Sequence, residues 1–89
     1  MRCVWDGDKA DRNGRKHGVT FEEAATVFSD PLALVIEDES YPENARIIGE
    51  SLVARILLVV FVERGRDLVR LISARRATRH ERRRYEEGE

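Results

Sequence analysis

The feature that most constrains the fold is an apolar run over residues 56–62, in which seven consecutive side chains are aliphatic or aromatic. The run is too short to cross a bilayer as a helix, which needs about 20 apolar residues. It is instead typical of a strand that is covered on both faces, as in the middle of a sheet. We therefore expect the rest of the chain to supply neighbouring strands and covering helices.

Shorter segments with a β-type pattern flank this run. Residues 32–36, 45–49 and 68–74 are predicted to be strands, and the short apolar run at 3–5 fits an opening strand. Residues 64–67, Arg-Gly-Arg-Asp, have the composition of a hairpin connection. The last two strands should therefore pair antiparallel, in a mainly antiparallel sheet.

A first helix is predicted soon after the opening strand. Asp6 is a candidate N-cap, and the helix should reach about Lys16. Gly18 supplies the left-handed residue that commonly ends a helix. Because this helix contains Gly14 and few apolar residues, its stability must come mostly from docking.

Two Thr-x-x-Glu sequences, typical of capping boxes, mark the starts of two further helices. Thr20 and Glu23 open a second helix, which ends ahead of Pro31. Thr78 and Glu81 open a short C-terminal helix that extends to about residue 86. The elements together predict an α+β fold in a single domain, residues 1–89, with a mainly antiparallel sheet, two N-terminal helices and one short C-terminal helix.

Charge is divided unevenly along the chain. Residues 1–50 carry six Lys or Arg against eleven Asp or Glu, whereas residues 51–89 carry ten against six. The basic residues concentrate at 70–85, where seven arginines and one histidine accompany a single acid. Because a guanidinium group binds phosphate or carboxylate through two parallel hydrogen bonds, this segment predicts binding to a polyanion or to an acidic protein.

Other kinds of chemistry have little support in the sequence. The single cysteine, Cys3, cannot form an internal disulfide, and it shows no zinc-ligand spacing with the two histidines. There is no glycine-rich phosphate loop. We therefore predict no cofactor and no metal site. With no leader resembling a signal peptide and no long apolar segment, the protein is expected to be cytoplasmic and not membrane-bound.

Several short motifs together resemble one known family. They are W-D at 5–6, N-x-x-K-H-G-V at 13–19, F-x-E-A-x-x-V-F-x-D-P at 21–31, R-x-I-G at 46–49, E-R at 63–64 and I-S-A-R-x-A-x-x-x-E-R-x-x-Y at 72–85. In this order and spacing the chain resembles the BrnT-type toxins, the ribonuclease components of bacterial type II toxin–antitoxin pairs, which have a RelE-like fold. Gly7 and Gly14 depart from the family pattern, which more often places helix-favouring residues there.

The resemblance implies an endoribonuclease. Cleavage of RNA without metal needs a base, an acid and a cation that stabilises the phosphorane. The candidate catalytic residues are His17, Arg75, Glu81 and Tyr85. The candidate RNA-binding residues are all basic: Lys16, Arg46, Arg64, Arg76, Arg79, Arg82 and Arg83.

Each candidate also has an ordinary structural explanation. His17 lies at the end of the first helix, where the helix dipole favours a protonated acid, but it could equally cap the helix. The capping box already explains Glu81, and Tyr85 could anchor the last helix rather than contact RNA. Lys16 and the arginines of the last helix could simply be solvated.

The two arginines at the end of the last strand are expected to leave it on opposite faces, because side chains alternate along a strand. Only one of them can then join a site on a given face of the sheet. We favour Arg75, which shares a face with Ser73. The other face, expected to be the more solvated one, carries Arg70, Ile72, Ala74 and Arg76.

The resemblance also implies partners. A cognate antitoxin, BrnA-like and DNA-binding, should hold the protein inactive, and operator DNA should be bound only through that complex. RNA is the implied substrate. Two alternatives stay open: a non-catalytic module that binds nucleic acid or protein, and a degenerate toxin that keeps only its antitoxin interface.

Overall fold

The computed structural model describes residues 1–88 as an α+β fold with five strands and three α-helices. The strands are β1 (Arg2–Val4), β2 (Leu34–Glu37), β3 (Ala45–Glu50), β4 (Ile56–Gly65) and β5 (Leu68–Arg76). The helices are α1 (Gly7–His17), α2 (Phe21–Thr26), which a 3₁₀ turn (Val27–Ser29) extends, and α3 (Arg79–Glu87). No helix within residues 1–88 is long and apolar enough to cross a membrane.

The five strands form one mixed sheet in the order β1-β5-β4-β3-β2. The apolar strand β4 lies at its centre and pairs antiparallel with both β3 and β5. β2 is antiparallel to β3, whereas β1 is parallel to the start of β5. The parallel pair joins the first strand to the last one, and no local sequence pattern specifies such a contact.

α1 and α2 cover one face of the sheet, which we call the helix-covered face. The buried core there comprises Val19, Phe21, Ala24, Val27, Ile47, Leu57, Val59, Phe61, Val69, Leu71 and Ala74. The opposite face, which we call the open face, is partly covered by α3. Its Ile48 and Leu58 are almost fully buried. β4 is therefore covered on both faces at this end, as its apolar sequence predicts, whereas Val60 and Val62 on the open face are only half-buried.

The two predicted capping boxes differ in the structure. At α3 both bonds form, because Glu81 N donates to Thr78 Oγ1 at 3.2 Å and Thr78 N donates to Glu81 Oε1 at 2.9 Å. At α2 only the bond from Glu23 N to Thr20 Oγ1 forms, at 3.0 Å. The Glu23 carboxylate accepts hydrogen bonds from Arg55 and Ser51 instead. The full box predicted at α2 was therefore wrong.

A β-bulge changes which residues of β5 share a face. Ile72 is an extra residue of β5 that has no partner in β4, and a bulge of this kind interrupts the alternation of side chains. Ala74 therefore joins Leu71 on the helix-covered face, where it is fully buried. The prediction that grouped Ala74 with Arg70 on a solvated face was wrong for this reason.

Gly49, the glycine of the R-x-I-G motif, lies where the 3₁₀ turn and the segment after it pass over β3. A Cβ atom at this position would lie 2.8 Å from Val27 Cγ1 and 3.0 Å from Ala33 Cβ. Only glycine allows so close an approach. The motif residue is thus explained by packing rather than by chemistry.

Candidate functional site

Arg75 lies on the open face of β5 and is held by α3. Its two terminal nitrogens donate to the two carboxylate oxygens of Glu81 at 2.8 and 2.9 Å. A third N–H donates to the Arg76 carbonyl at 3.2 Å. Of the five guanidinium N–H groups, two have no acceptor within residues 1–88. Because the side chain is 35% exposed, these two can reach a bound phosphate.

Glu81 is the partner that fixes the orientation of Arg75. Burial alone would raise the pKa of the Glu81 carboxyl, but the hydrogen bonds from Arg75 and from the Thr78 amide outweigh burial and lower that pKa. The carboxylate is thus ionised at neutral pH and engaged on both oxygens. A general base works best with a pKa near the working pH, so this geometry suits an orienting group better than a base.

Tyr85 attaches α3 to the segment that follows the 3₁₀ turn. Its hydroxyl donates to Asp30 Oδ2 at 2.6 Å, and this hydrogen bond is the main reason that the pKa of Tyr85 rises to about 12. Asp30 also accepts from the amides of Glu50 and Leu32, at 2.8 and 2.9 Å. The phenol proton is therefore committed to a structural contact. A catalytic role for Tyr85 stays a prediction that these contacts do not favour.

These two contacts predict acid sensitivity of the α3 docking. Burial would raise the pKa of Asp30, but hydrogen bonds from Glu50, Tyr85 and Leu32 together outweigh burial and lower it. The pKa of Glu81 is lowered too. A carboxyl whose folded pKa lies below its unfolded value of about 4 stabilises the fold above that pH and loses this contribution as pH falls through the folded pKa. The free energy of unfolding should therefore drop below about pH 4.

Urea denaturation followed by circular dichroism from pH 7 to pH 2 checks this expectation. Tyr85→Phe removes a hydrogen bond that lowers the pKa of Asp30, and Glu81→Gln removes one titrating carboxyl. Both variants should show a shallower acid loss than the wild-type protein. An identical acid dependence in all three proteins would contradict the assignment.

His17 lies at the end of α1 beside β5. The Gly18 amide, with Gly18 in the left-handed conformation at φ 68°, donates to the Gly14 carbonyl and closes the helix. Helix capping is therefore performed by backbone, and the imidazole is not needed for it. His17 lines a shallow groove together with residues of α1 and β5: Lys9, Arg12, Asn13, Lys16, Ile72 and Ser73.

Asn13, which opens the N-x-x-K-H-G-V motif but was not among the predicted site residues, fixes α1 against β5. Its side chain is buried, 7% exposed, and its Nδ2 donates to the carbonyls of Ala74 and Val19 at 2.8 and 2.9 Å. Its Oδ1 accepts from the Ala74 amide at 3.0 Å. Asn13 thus pairs with β5 where β1 has ended, and this bridge sets His17 beside the strand.

A second network, also missed from the sequence, holds the residue after His17. Arg55 donates to the Gly18 carbonyl at 3.2 Å and, through Nε, to Glu23 Oε2 at 2.9 Å. The hydrogen bond from Arg55 is the main cause that lowers the pKa of Glu23. The Ser51 hydroxyl donates to the same carboxylate at 2.7 Å. No local sequence signal predicts this network, because Arg55 and Ser51 lie about 30 residues from Glu23 along the chain.

The structure brings some of the predicted RNA-binding residues close to this region. Lys16 lies in the groove with His17. Arg79, Arg82 and Arg83 line one cleft beside α3, together with Ala77 and Glu86. Only Arg82 of these three has an ion pair within residues 1–88, and its 4.0 Å distance to Glu86 is long.

Three other arginines have different surroundings. Arg46 lies on the open face, opposite Val60, which is itself opposite Ser73. Arg76 pairs with Leu57 of the core strand and lies on the helix-covered side, near enough to lower the pKa of Glu23 slightly. Arg64 lies near the hairpin end of β4, about 20 Å along the strand from the partner of Arg75. Arg64 and Arg76 are therefore not part of one surface with Arg75.

Within residues 1–88, no three His, Cys, Asp or Glu side chains are grouped so that they could hold a metal ion. The site instead consists of lysine and arginine side chains and one histidine, arranged around one end of β5. Such an arrangement can bind phosphate, stabilise a developing negative charge and exchange protons through one imidazole.

Comparison with known proteins assigns the chain to a family. Residues 5–81 match the family described as "Ribonuclease toxin, BrnT, of type II toxin-antitoxin system". The 1.1 Å crystal structure of the Brucella abortus ribonuclease toxin BrnT is similar, with a TM-score of 0.71 and 28% sequence identity over 89% of this chain and 99% of that chain. No curated protein matches the sequence. The chain therefore belongs to the BrnT family, the ribonuclease toxins of type II toxin–antitoxin systems, and its expected protein partner is an antitoxin.

Proposed function

We propose that this endoribonuclease cleaves RNA without a metal ion, where the end of α1 meets the open face of β5. The observation that carries the proposal is the groove in which His17 and Lys16 lie beside Ser73. Arg75 follows Ser73 on the same face of β5, about 7 Å along the strand. The imidazole of His17 and the cations of Lys16 and Arg75 are thus close enough to contact one phosphodiester and the phosphates next to it.

The proposed reaction is attack of the ribose 2′-hydroxyl on the adjacent phosphorus. The bond from phosphorus to the 5′-oxygen breaks, that oxygen leaves with a proton, and the 2′-hydroxyl proton passes to solvent water. His17 donates this proton, while Arg75 and Lys16 stabilise the crowded anionic phosphorane. Glu81 holds the guanidinium of Arg75 in place rather than acting as a base.

RNA outside the scissile phosphate would be bound by arginines near the site. We assign this role to the cleft beside α3 that contains Arg79, Arg82 and Arg83, and to Arg46 on the open face. Contacts of this kind depend on salt, because binding of phosphates releases counterions. Arg64, which lies far along β4, and Arg76, which lies on the helix-covered side, are assigned no part in RNA binding.

The wider setting is also proposed from the family. The protein acts as a single RelE-like domain, residues 1–89, in the cytoplasm, where RNA is available. Its antitoxin is BrnA-like and carries the DNA-binding domain, so operator DNA is bound only by the toxin–antitoxin complex. Masking of the basic surface by the antitoxin prevents RNA binding.

The absence of a metal requirement is tested with purified protein. RNA cleavage should continue in EDTA at the rate seen without chelator, because the proposed chemistry uses side chains of the protein and no metal ion. A magnesium-dependent nuclease in a parallel reaction verifies that chelation is complete. Loss of activity in EDTA and its return with magnesium would refute the acid–base scheme and direct attention to the acids at 37–39. No cleavage under any condition would favour a binding module or a degenerate toxin.

A further inference from the structure

The open face contains a second surface, of which the proposed function uses only Arg46, as an RNA-binding residue. α3 covers only one end of this face, and beyond it lie half-buried and exposed side chains from all five strands. We call this surface the open patch and define it by Val4, Ile36, Arg46, Val60, Val62 and Arg70.

Strand register arranges the open patch in two rows. In the first row Ile36, Arg46 and Val60 are consecutive partners across β2, β3 and β4. In the second row Val62, Arg70 and Val4 are consecutive partners across β4, β5 and β1. Each row spans about 10 Å, since neighbouring strands are about 4.8 Å apart. The result is an apolar centre with a guanidinium group in each row.

The charge of the open patch lacks compensation within the described chain. Both of its charged residues are arginines, and neither has an ion pair within residues 1–88. Arg46 Nε is buried with no hydrogen-bond partner in that range, and its NH2 reaches the Glu37 carbonyl only at 3.5 Å. A buried donor without an acceptor is costly. The open patch therefore favours a ligand that supplies acceptors.

The side chains of the open patch distinguish between a protein ligand and RNA. Single-stranded RNA is usually held by stacking of its bases on aromatic rings or guanidinium planes. The open patch offers two guanidinium groups but no aromatic ring, and aliphatic side chains, mostly valine, form its centre. Aliphatic area flanked by cations is complementary to a peptide with apolar and acidic side chains. The antitoxin is the protein partner that family membership supplies.

We infer that the open patch is the docking site for an acidic, amphipathic segment of the antitoxin. The inference rests on the proposed function in one respect, namely that an occupant of this patch blocks RNA. The first row of the patch continues across the sheet to Ser73, which lines the groove of His17. A segment bound there thus lies against the proposed active site.

The test measures binding of the full-length antitoxin encoded with this toxin, by isothermal titration calorimetry at 0.15 M salt. Val62→Asp and Arg70→Glu each place an acid in the open patch and should weaken antitoxin binding about tenfold or more. Val35→Asp and Arg66→Glu make the same chemical changes at exposed positions outside the patch. These two matched controls should bind within about twofold of wild type. Circular dichroism melting confirms that all four variants are folded, and each patch variant tests the inference independently.

Two further measurements on the same proteins separate the possible outcomes. Fluorescence anisotropy gives the affinity for single-stranded RNA, and a cleavage assay gives the activity of the free toxin. Unchanged antitoxin affinity in the folded patch variants would overturn the inference, and a fall in RNA affinity alone would assign the patch to RNA. If wild-type toxin fails to cleave RNA, the proposed function fails, but the calorimetric result still decides the docking site.

Discussion

Arg75→Ala is expected to lower the single-turnover rate of RNA cleavage by ~10²-fold or more, the order of loss typical when one preorganised transition-state donor is removed. The guanidinium lies at the end of a core strand and is fixed by two hydrogen bonds to Glu81. Its position is therefore set before RNA binds. Rates should be measured at saturating enzyme, after circular dichroism has shown that the variant is folded and calorimetry that it still binds antitoxin.

Arg83→Ala is the matched control for this experiment. Arg83 is an exposed residue in the cleft beside α3, so its loss should weaken RNA affinity modestly, in a salt-dependent way, and leave the chemical step nearly intact. Glu81→Gln should lie between the two, since it keeps Arg75 but weakens its anchorage. Equal, small effects of Arg75→Ala and Arg83→Ala would indicate a diffuse arginine surface and would leave the chemistry to His17.

Local signals in the sequence predicted much of the secondary structure. Asp6 caps the start of α1 and Gly18 ends it, as predicted, and the capping box of Thr78 and Glu81 opens α3. These signals work because each cap is satisfied by backbone groups only a few residues away. The apolar run of β4 likewise predicted a central strand, because a central strand has neighbours on both sides and can bury side chains on both faces.

Features that depend on distant contacts were not predictable in this way. The parallel pairing of β1 with β5 joins opposite ends of the chain. The bulge at Ile72 could not be predicted, because residues 68–74 fit a regular strand pattern without a bulge. The second bond of the α2 cap is lost because Arg55, far along the chain, binds Glu23. In each case a tertiary contact overrides the local preference.

Some residues of the candidate site could be named from the sequence, but their contacts could not. Spacing placed Glu81 and Tyr85 on one side of a helix that faces the sheet. Their partners, Arg75 and Asp30, became visible only in the structure. This difference matters for mechanism, because the contacts favour an orienting role for Glu81 toward Arg75 and a docking role for Tyr85 over the catalytic roles predicted for both.

Asn13 is a residue whose loss we expect to affect both stability and cleavage, because it holds α1 against β5. Asn13→Leu keeps the approximate size of the side chain but leaves the Ala74 amide, the Ala74 carbonyl and the Val19 carbonyl without their partner in a buried site. Each unsatisfied buried group costs about 1–3 kcal/mol, and such costs are not additive, so we expect a loss of about 3 kcal/mol in the free energy of unfolding. Urea denaturation measures this loss.

Gly14→Ala, one residue further along α1, separates stability from positioning. A Cβ at Gly14 meets no atom within 4 Å, so alanine should stabilise α1 by about 1 kcal/mol through helix propensity alone. Combined with Asn13→Leu, it should restore part of the lost stability. Cleavage by the double variant should nevertheless stay low at a temperature where it is fully folded, because the bridge from α1 to β5 that places His17 beside Ser73 is still missing. Recovery of activity in step with stability would instead mean that Asn13 matters only for folding.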